Sequence, residues 1–116
     1  MQTEKNEKVI KLFEMFGEDF LGSRWAGEQV REIMEEAIMR NNQTVVLDFE
    51  GITGITQSFG DEIVGIFARA FGKDFVKKNV KAINISEDVR IILNWSIKVS
   101  VKYSQRISSP SLSFLK

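Results

Sequence analysis

Thr56, Gln57, Ser58 and Phe59, followed by Asp61 and Glu62, are the residues whose types and spacing bear most directly on chemistry. Asp61 stands three residues after Ser58, the spacing of a capping box, although Asp is a shorter partner than Glu. A hydroxyl at a helix start lies beside unpaired backbone N–H groups, and such a spot can hold an anion, accept a phosphate or dock a partner. The simplest role for Ser58 is the cap itself, worth ~1 kcal/mol. Asp61 and Glu62 in a first helical turn complement the helix dipole, or else form an acidic contact patch beside the loop. Asp48 ends an apolar run, where open α/β sheets place their ligand crevices. With Asp61 and Glu62 it can make a carboxylate cluster for Mg²⁺. A hydrogen bond from Asp48 to the loop backbone is the preferred reading, and no metal or cofactor is expected. Arg24, next to Ser23 at another predicted helix start, opposes the dipole of its own helix. It either pairs with Asp48 or a loop carboxylate, or is simply solvated.

The chain has no cysteine and no histidine. A thiol nucleophile, a disulfide and a thiolate metal site are therefore excluded, and the commonest general base and zinc ligand are missing. An enzyme here would have to work with carboxylates, lysines or a hydroxyl alone, so the expectation is no enzyme. Lys+Arg and Asp+Glu both number 16, which leaves no basic excess to draw the chain to nucleic acid or lipid. No apolar run approaches the ~20 residues of a membrane span, and the N-terminus lacks a signal-peptide pattern. The reading is cytoplasmic, with no nucleic acid and no membrane partner.

These residues need elements to position them. Thr44–Phe49 reads as a buried central strand, followed by a loop with Gly51 and Gly54 and a helix from about Ser58 to Phe71. Upstream, Val9–Phe16 favours a strand broken at Gly17, and Phe20-Leu21 reads as a short partner strand. Ser23 is the predicted N-cap of a helix to about Arg40, with Ala26, Val30, Ile33, Met34, Ala37 and Ile38 on one stripe. Val80–Ile85 reads as a second buried strand. Ser86 caps a last helix to about Ser96, beyond which residues 97–103 alternate like a strand but also fit a continued helix. The Lys73–Lys81 segment, with Lys77 and Lys78, reads as a solvated linker. One α/β domain over residues 8–107 is expected, a mixed sheet with helices in strand(s)–helix–strand–helix–strand–helix order, and flexible tails at 1–7 and 108–116.

Asp48-Phe49 and Ser58-Phe59-Gly60-Asp61-Glu62, with their strand, loop and helix context, resemble a family of STAS-like domains of unknown function. That family is distantly similar to the STAS domains of anti-sigma factor antagonists. The resemblance runs from about Lys8 to about Lys98. It implies the STAS-like α/β fold and a Ser-Arg pair at the start of the first long helix, matched here by Ser23-Arg24. In the antagonists a Ser at the start of the helix after the loop is phosphorylated by an ATP-binding, histidine-kinase-type partner. Where their pattern is Asp-Ser-Ser/Thr-Gly, this chain has Thr56-Gln57-Ser58-Phe59, so Gln57 holds the phosphoacceptor place. Ser58 and Thr56 are the local hydroxyl candidates.

The resemblance therefore implies a non-enzymatic regulatory protein-interaction module, partnering an ATP-binding kinase-like protein through residues 51–62. Its contact set is Arg24, Asp48, Thr56, Gln57, Ser58, Phe59, Asp61 and Glu62. The alternative is a small-ligand or nucleotide-binding domain using the same helix N-terminus; a carboxylate-only enzyme ranks third. Phe59 reads first as a hydrophobic plug under the loop and otherwise as an exposed contact. An interaction module should keep apolar side chains such as Phe59 or Trp25 on show, whereas a ligand site should be concave. Trp25 and Trp95 are read as core edge or interface anchors. Self-association follows if the C-terminal segment is an exposed edge strand.

Overall fold

The protein's computed structural model describes residues 6–107, with side chains as far as 102. Strand β1 (Glu7–Lys11) is followed at once by the helical turn α1 (Leu12–Phe16), and Gly17 ends that turn in the left-handed conformation. Then come β2 (Phe20–Leu21), the helix α2 (Arg24–Glu35, continued as a π-helical turn Glu36–Arg40) and β3 (Thr44–Asp48). Next is β4 (Gly54–Ile55), and a continuous helix α3 over residues 57–71 made of Gln57–Gly60, a π-helical turn Asp61–Gly65 and Ile66–Phe71. Helix α4 (Lys73–Asn79), β5 (Val80–Ile83) and α5 (Glu87–Ile107) complete the order.

β3 is the central strand of β1-β3-β5, and all three run parallel. Val45 and Leu47 point into the core together with Ile10 from β1 and Val80 and Ala82 from β5. The long helices close over that face: Val30 and Met34 of α2, Ile63 and Phe67 of α3, and Val89 and Leu93 of α5 join the same apolar cluster. The α/β class expected from the strand–helix alternation stands.

Local expectations are corrected or decided at five points. Only residues 7–11 of the opening segment are strand; Leu12 and Phe16, one helical turn apart, put the rest into α1. The strand also begins at Glu7, inside the expected tail, because Glu7 pairs with Thr44. Phe20–Leu21 makes no hairpin with β1; it pairs parallel with Gly54–Ile55, so every strand pair among the described residues is parallel where a mixed sheet was expected. The lysine-rich segment is the helix α4, set off by Gly72 at positive φ and anchored by buried Val76 and Asn79. Residues 97–103 continue α5 rather than forming a strand. The expected tails at residues 1–5 and 108–116 lie outside the described residues.

Candidate functional site

The start of α3 is the meeting point of three elements. Its N-cap is Thr56, whose Oγ1 accepts from the Phe59 N–H at 3.1 Å and donates to the Gly22 carbonyl at 2.7 Å. Ser58, expected to be the cap, instead lies in the first turn, and Thr56 prevails because its hydroxyl reaches the chain after β2 as well as its own helix. The loop before it is laid against β2: Thr53 N–H donates to the Asp19 carbonyl at 2.7 Å and Thr56 N–H to Leu21 at 3.1 Å. The result is a short parallel ribbon rather than a loose loop. Its glycines are covered by aromatic rings: Phe13 lies over Gly51 and Phe20 over Gly54.

The face of α3 turned toward α2 is an alternating chain of charges. Arg24 donates to Asp61 at 3.1 Å and to Glu62 at 3.0 Å. Glu62, itself buried, also accepts from Arg31 of α2. Asp61 further accepts from Arg69 at 2.7 Å, and Arg69 donates to the Ser100 hydroxyl on α5 at 2.9 Å. Three helices are thus tied through two neighbouring carboxylates. Hydrogen bonds to Asp61 and then Glu62 raise the Arg24 pKa. For Asp61, burial is the largest influence and acts upward, but the bonds and charges of Arg69 and Arg24 together leave its carboxyl below the ordinary value. Glu62 is the buried member of this network, so removing its arginine partners would leave a buried charge uncompensated.

Asp48 belongs to a separate arrangement. Its Oδ1 accepts from the Asn84 amide at 2.9 Å and from the Glu50 N–H at 3.0 Å. The Asn84 bond, then the Glu50 N–H, hold its carboxyl below the usual range, with the Lys11 charge helping. Asn84 can do this from a left-handed backbone position (φ 58°) just after β5, a conformation Asn tolerates better than most residues. The hydrogen bond from the loop backbone was the preferred reading of Asp48; a pairing with Arg24 is not made. Among the described residues no carboxylates gather as a metal-holding set, and no helix is long and apolar enough to cross a membrane.

A family model for a STAS-like domain of unknown function matches residues 26–90, more than half of the chain. The chain belongs to this family. No curated protein and no solved structure matches it. The match covers α2 from its third residue, β3, β4, α3, α4, β5 and the first residues of α5.

Within this STAS-like domain the structure brings Arg24, Asp61 and Glu62 into one network and sets Thr56 at the helix start beside Gln57, which is exposed, and Ser58, which is half-buried. Phe59 does not contribute a contact surface: its side chain is fully buried in the core, because the third position of α3 faces the sheet. Asp48 sits apart, at the β3–β5 end. Sequence reasoning missed Arg31, Arg69, Ser100 and Asn84. Arg31 carried a signal, since it stands seven residues after Arg24 and so two turns along the same helix face. Arg69 has the corresponding place relative to Asp61 and Glu62 on α3. The exposed rings of Phe13 and Phe20 were hidden inside runs that read as strand.

Proposed function

We propose that this STAS-like domain is a non-enzymatic regulatory module that docks a protein partner on the face formed by the ribbon and the starts of α2 and α3. The observation that carries this reading is the exposure of large aromatic side chains there: Phe20 is 52% exposed and Trp25, beside Arg24 in the first turn of α2, is 65% exposed. Trp is the residue most often found as an interface anchor, and a rigid support makes such anchors effective because little entropy is lost on docking. That support is present in the ion pairs of Arg24 and the doubly bonded Thr56 hydroxyl. Gln57 and Ser58 add polar rim beside the rings.

The partner class that agrees with the family resemblance is a histidine-kinase-type ATPase, acting in the cytoplasm. Ser58 is the phosphoacceptor of choice in this reading. Its hydroxyl is free of the capping bond that engages Thr56, and a phosphate in the first turn of α3 would meet the positive end of the helix dipole. The added charge near Asp61 and Glu62 would also change which partner surface the face accepts.

The test is capture from host lysate with ATP and Mg²⁺, using wild type, Phe20→Ala/Trp25→Ala, Ser58→Asp and Ser58→Ala, with intact-mass analysis of each bait. An ATP-binding protein held by wild type and lost by the double variant is the expected result. A phosphate mass increment on wild type, absent from Ser58→Ala, assigns the switch. Equal capture by all baits removes this face from the mechanism, and no capture by any moves the small-ligand or nucleotide reading ahead.

A further inference from the structure

Helix α5 buries one side and leaves an apolar stripe on another. Val89, Leu93, Ser96 and Ser100 are buried against the domain, whereas Ile91, Trp95 and Val99 are 55%, 42% and 40% exposed. These three follow one another at four-residue spacing, and four residues advance a helix by slightly more than one turn, so they form one continuous ridge. Such a ridge on an outer helix is what an opposing helix covers.

The charges around the ridge say which helix. Asp88 lies seven residues before Trp95 and Lys102 seven residues after it, and both are exposed. Seven residues are close to two full turns, so Asp88 and Lys102 fall on the same face as Trp95, ~10 Å to either side of it along the axis. Neither has an ion-pair partner among the described residues, whereas neighbouring Glu87 is paired with Arg90 at 3.5 Å. The order along this face is Asp88, Ile91, Trp95, Val99, Lys102, which reads apolar about a central Trp with opposite charges at its two ends. A pattern of this kind is complementary to itself when turned end for end.

We propose that α5 pairs antiparallel with α5 of a second copy of this chain, about a twofold axis at Trp95. In that arrangement Ile91 meets the second copy's Val99, and Asp88 meets the second copy's Lys102, twice over by symmetry. A parallel pairing would set Asp88 on Asp88 and Lys102 on Lys102, which like-charge repulsion disfavours. The face is distinct from the docking face of the preceding section and does not depend on it. One helix pair makes a small interface, so the affinity belongs in the micromolar range rather than that of an obligate dimer.

The test is sedimentation velocity across the micromolar range on wild type, Asp88→Lys, Lys102→Asp, the double variant carrying both, and Trp95→Glu, each checked for fold by circular dichroism. Asp88 and Lys102 are exposed and Trp95 is 42% exposed, and association is compared only among variants that keep the wild-type circular dichroism. Each single charge reversal is expected to weaken the dimer by about tenfold, since it converts two attractions into two repulsions. The double variant should recover wild-type association, and Trp95→Glu should be monomeric. Monomer at every wild-type concentration overturns the proposal. A dimer indifferent to the single reversals, or one that the double variant fails to restore, also overturns it.

Discussion

The hydroxyl of Thr56 serves two elements at once, capping α3 through Phe59 and holding the chain after β2 through Gly22. Losing it should cost more than an ordinary cap, so Thr56→Ala is expected to lower stability by about 1–2 kcal/mol, while Ser58→Ala stays within about 0.5 kcal/mol. Urea denaturation of the two variants distinguishes the assigned cap from the one the sequence favoured. Asp48 and Asp61 give this scale its pH dependence. Both carboxyls are held below the ordinary value in the folded chain, Asp48 mainly by Asn84 and Asp61 by Arg69 and Arg24 against its burial. The unfolded chain therefore binds protons more readily, and the stability these groups supply is complete above the ordinary carboxylate pKa of 3.8 and lost as pH falls through the depressed folded values. With no histidine in the sequence, no imidazole adds a slope nearer neutrality. The urea midpoint should hold from neutral pH to about 5 and fall steeply below about 4. Asp48→Asn and Asp61→Asn should start from lower midpoints and fall less.

Among the elements, α3 is defined by what its glycines permit. A Cβ at Gly27 of α2 would stand 2.5 Å from Glu62 Cβ, and one at Gly60 would stand 2.8 Å from the Ser96 hydroxyl of α5. One at Gly65 would collide with Asp61 and crowd Ser100. The helices therefore approach closely enough for Arg31 and Arg69 to reach their partners. Helix propensity alone makes Gly→Ala favourable by about 1 kcal/mol, but overpacking a tight contact costs about 1–3 kcal/mol. Gly27→Ala is accordingly expected to lower stability, with a reduced thermal midpoint, and a gain would show that α2 and α3 are free to separate. The same close packing explains which elements could be read in advance. The apolar run Val45–Leu47 and the stripe of α2 needed only local periodicity, so strand and helix were legible. The C-terminal segment was not, because alternation in Ile97, Val99 and Val101 imitates a strand while Ser96 and Ser100 carry the buried helical face by being small. Phe20-Leu21 was legible as a short strand, but its partner β4 escaped because two residues inside a glycine loop have no period to detect, and α4 escaped because its lysines hide Phe75 and Val76. At the site, Arg24 was legible as a partner for a loop carboxylate, and it pairs with Asp61 and Glu62. The extension of that network to Arg31, Arg69 and Ser100 was not, because it depends on the close helix approach at Gly27, Gly60 and Gly65, which gives no polar signal.

At the scale of the whole molecule, equal numbers of positive and negative side chains leave no bulk field to select partners. Recognition must then come from local patterns, among them two outward-facing ones: Phe20 and Trp25 by the ribbon, and Ile91, Trp95 and Val99 on α5. A line of contacts joins them, from Arg24 through Asp61 and Arg69 to Ser100. Spatial connection is not by itself energetic coupling, which requires an element with two arrangements that both sites bias. The ion pairs and glycine contacts along this line all favour one arrangement, so the two faces should act independently. Trp25→Ala is expected to leave self-association within about twofold of wild type, and Trp95→Glu to leave partner capture unchanged. Their effects on unfolding free energy should add to within about 0.5 kcal/mol in the double variant. Sedimentation and denaturation of the four species complete the cycle. A larger discrepancy would make α3 a transmitter between the docking face and the dimer, with Asp61 the residue whose replacement by Asn should then abolish the coupling.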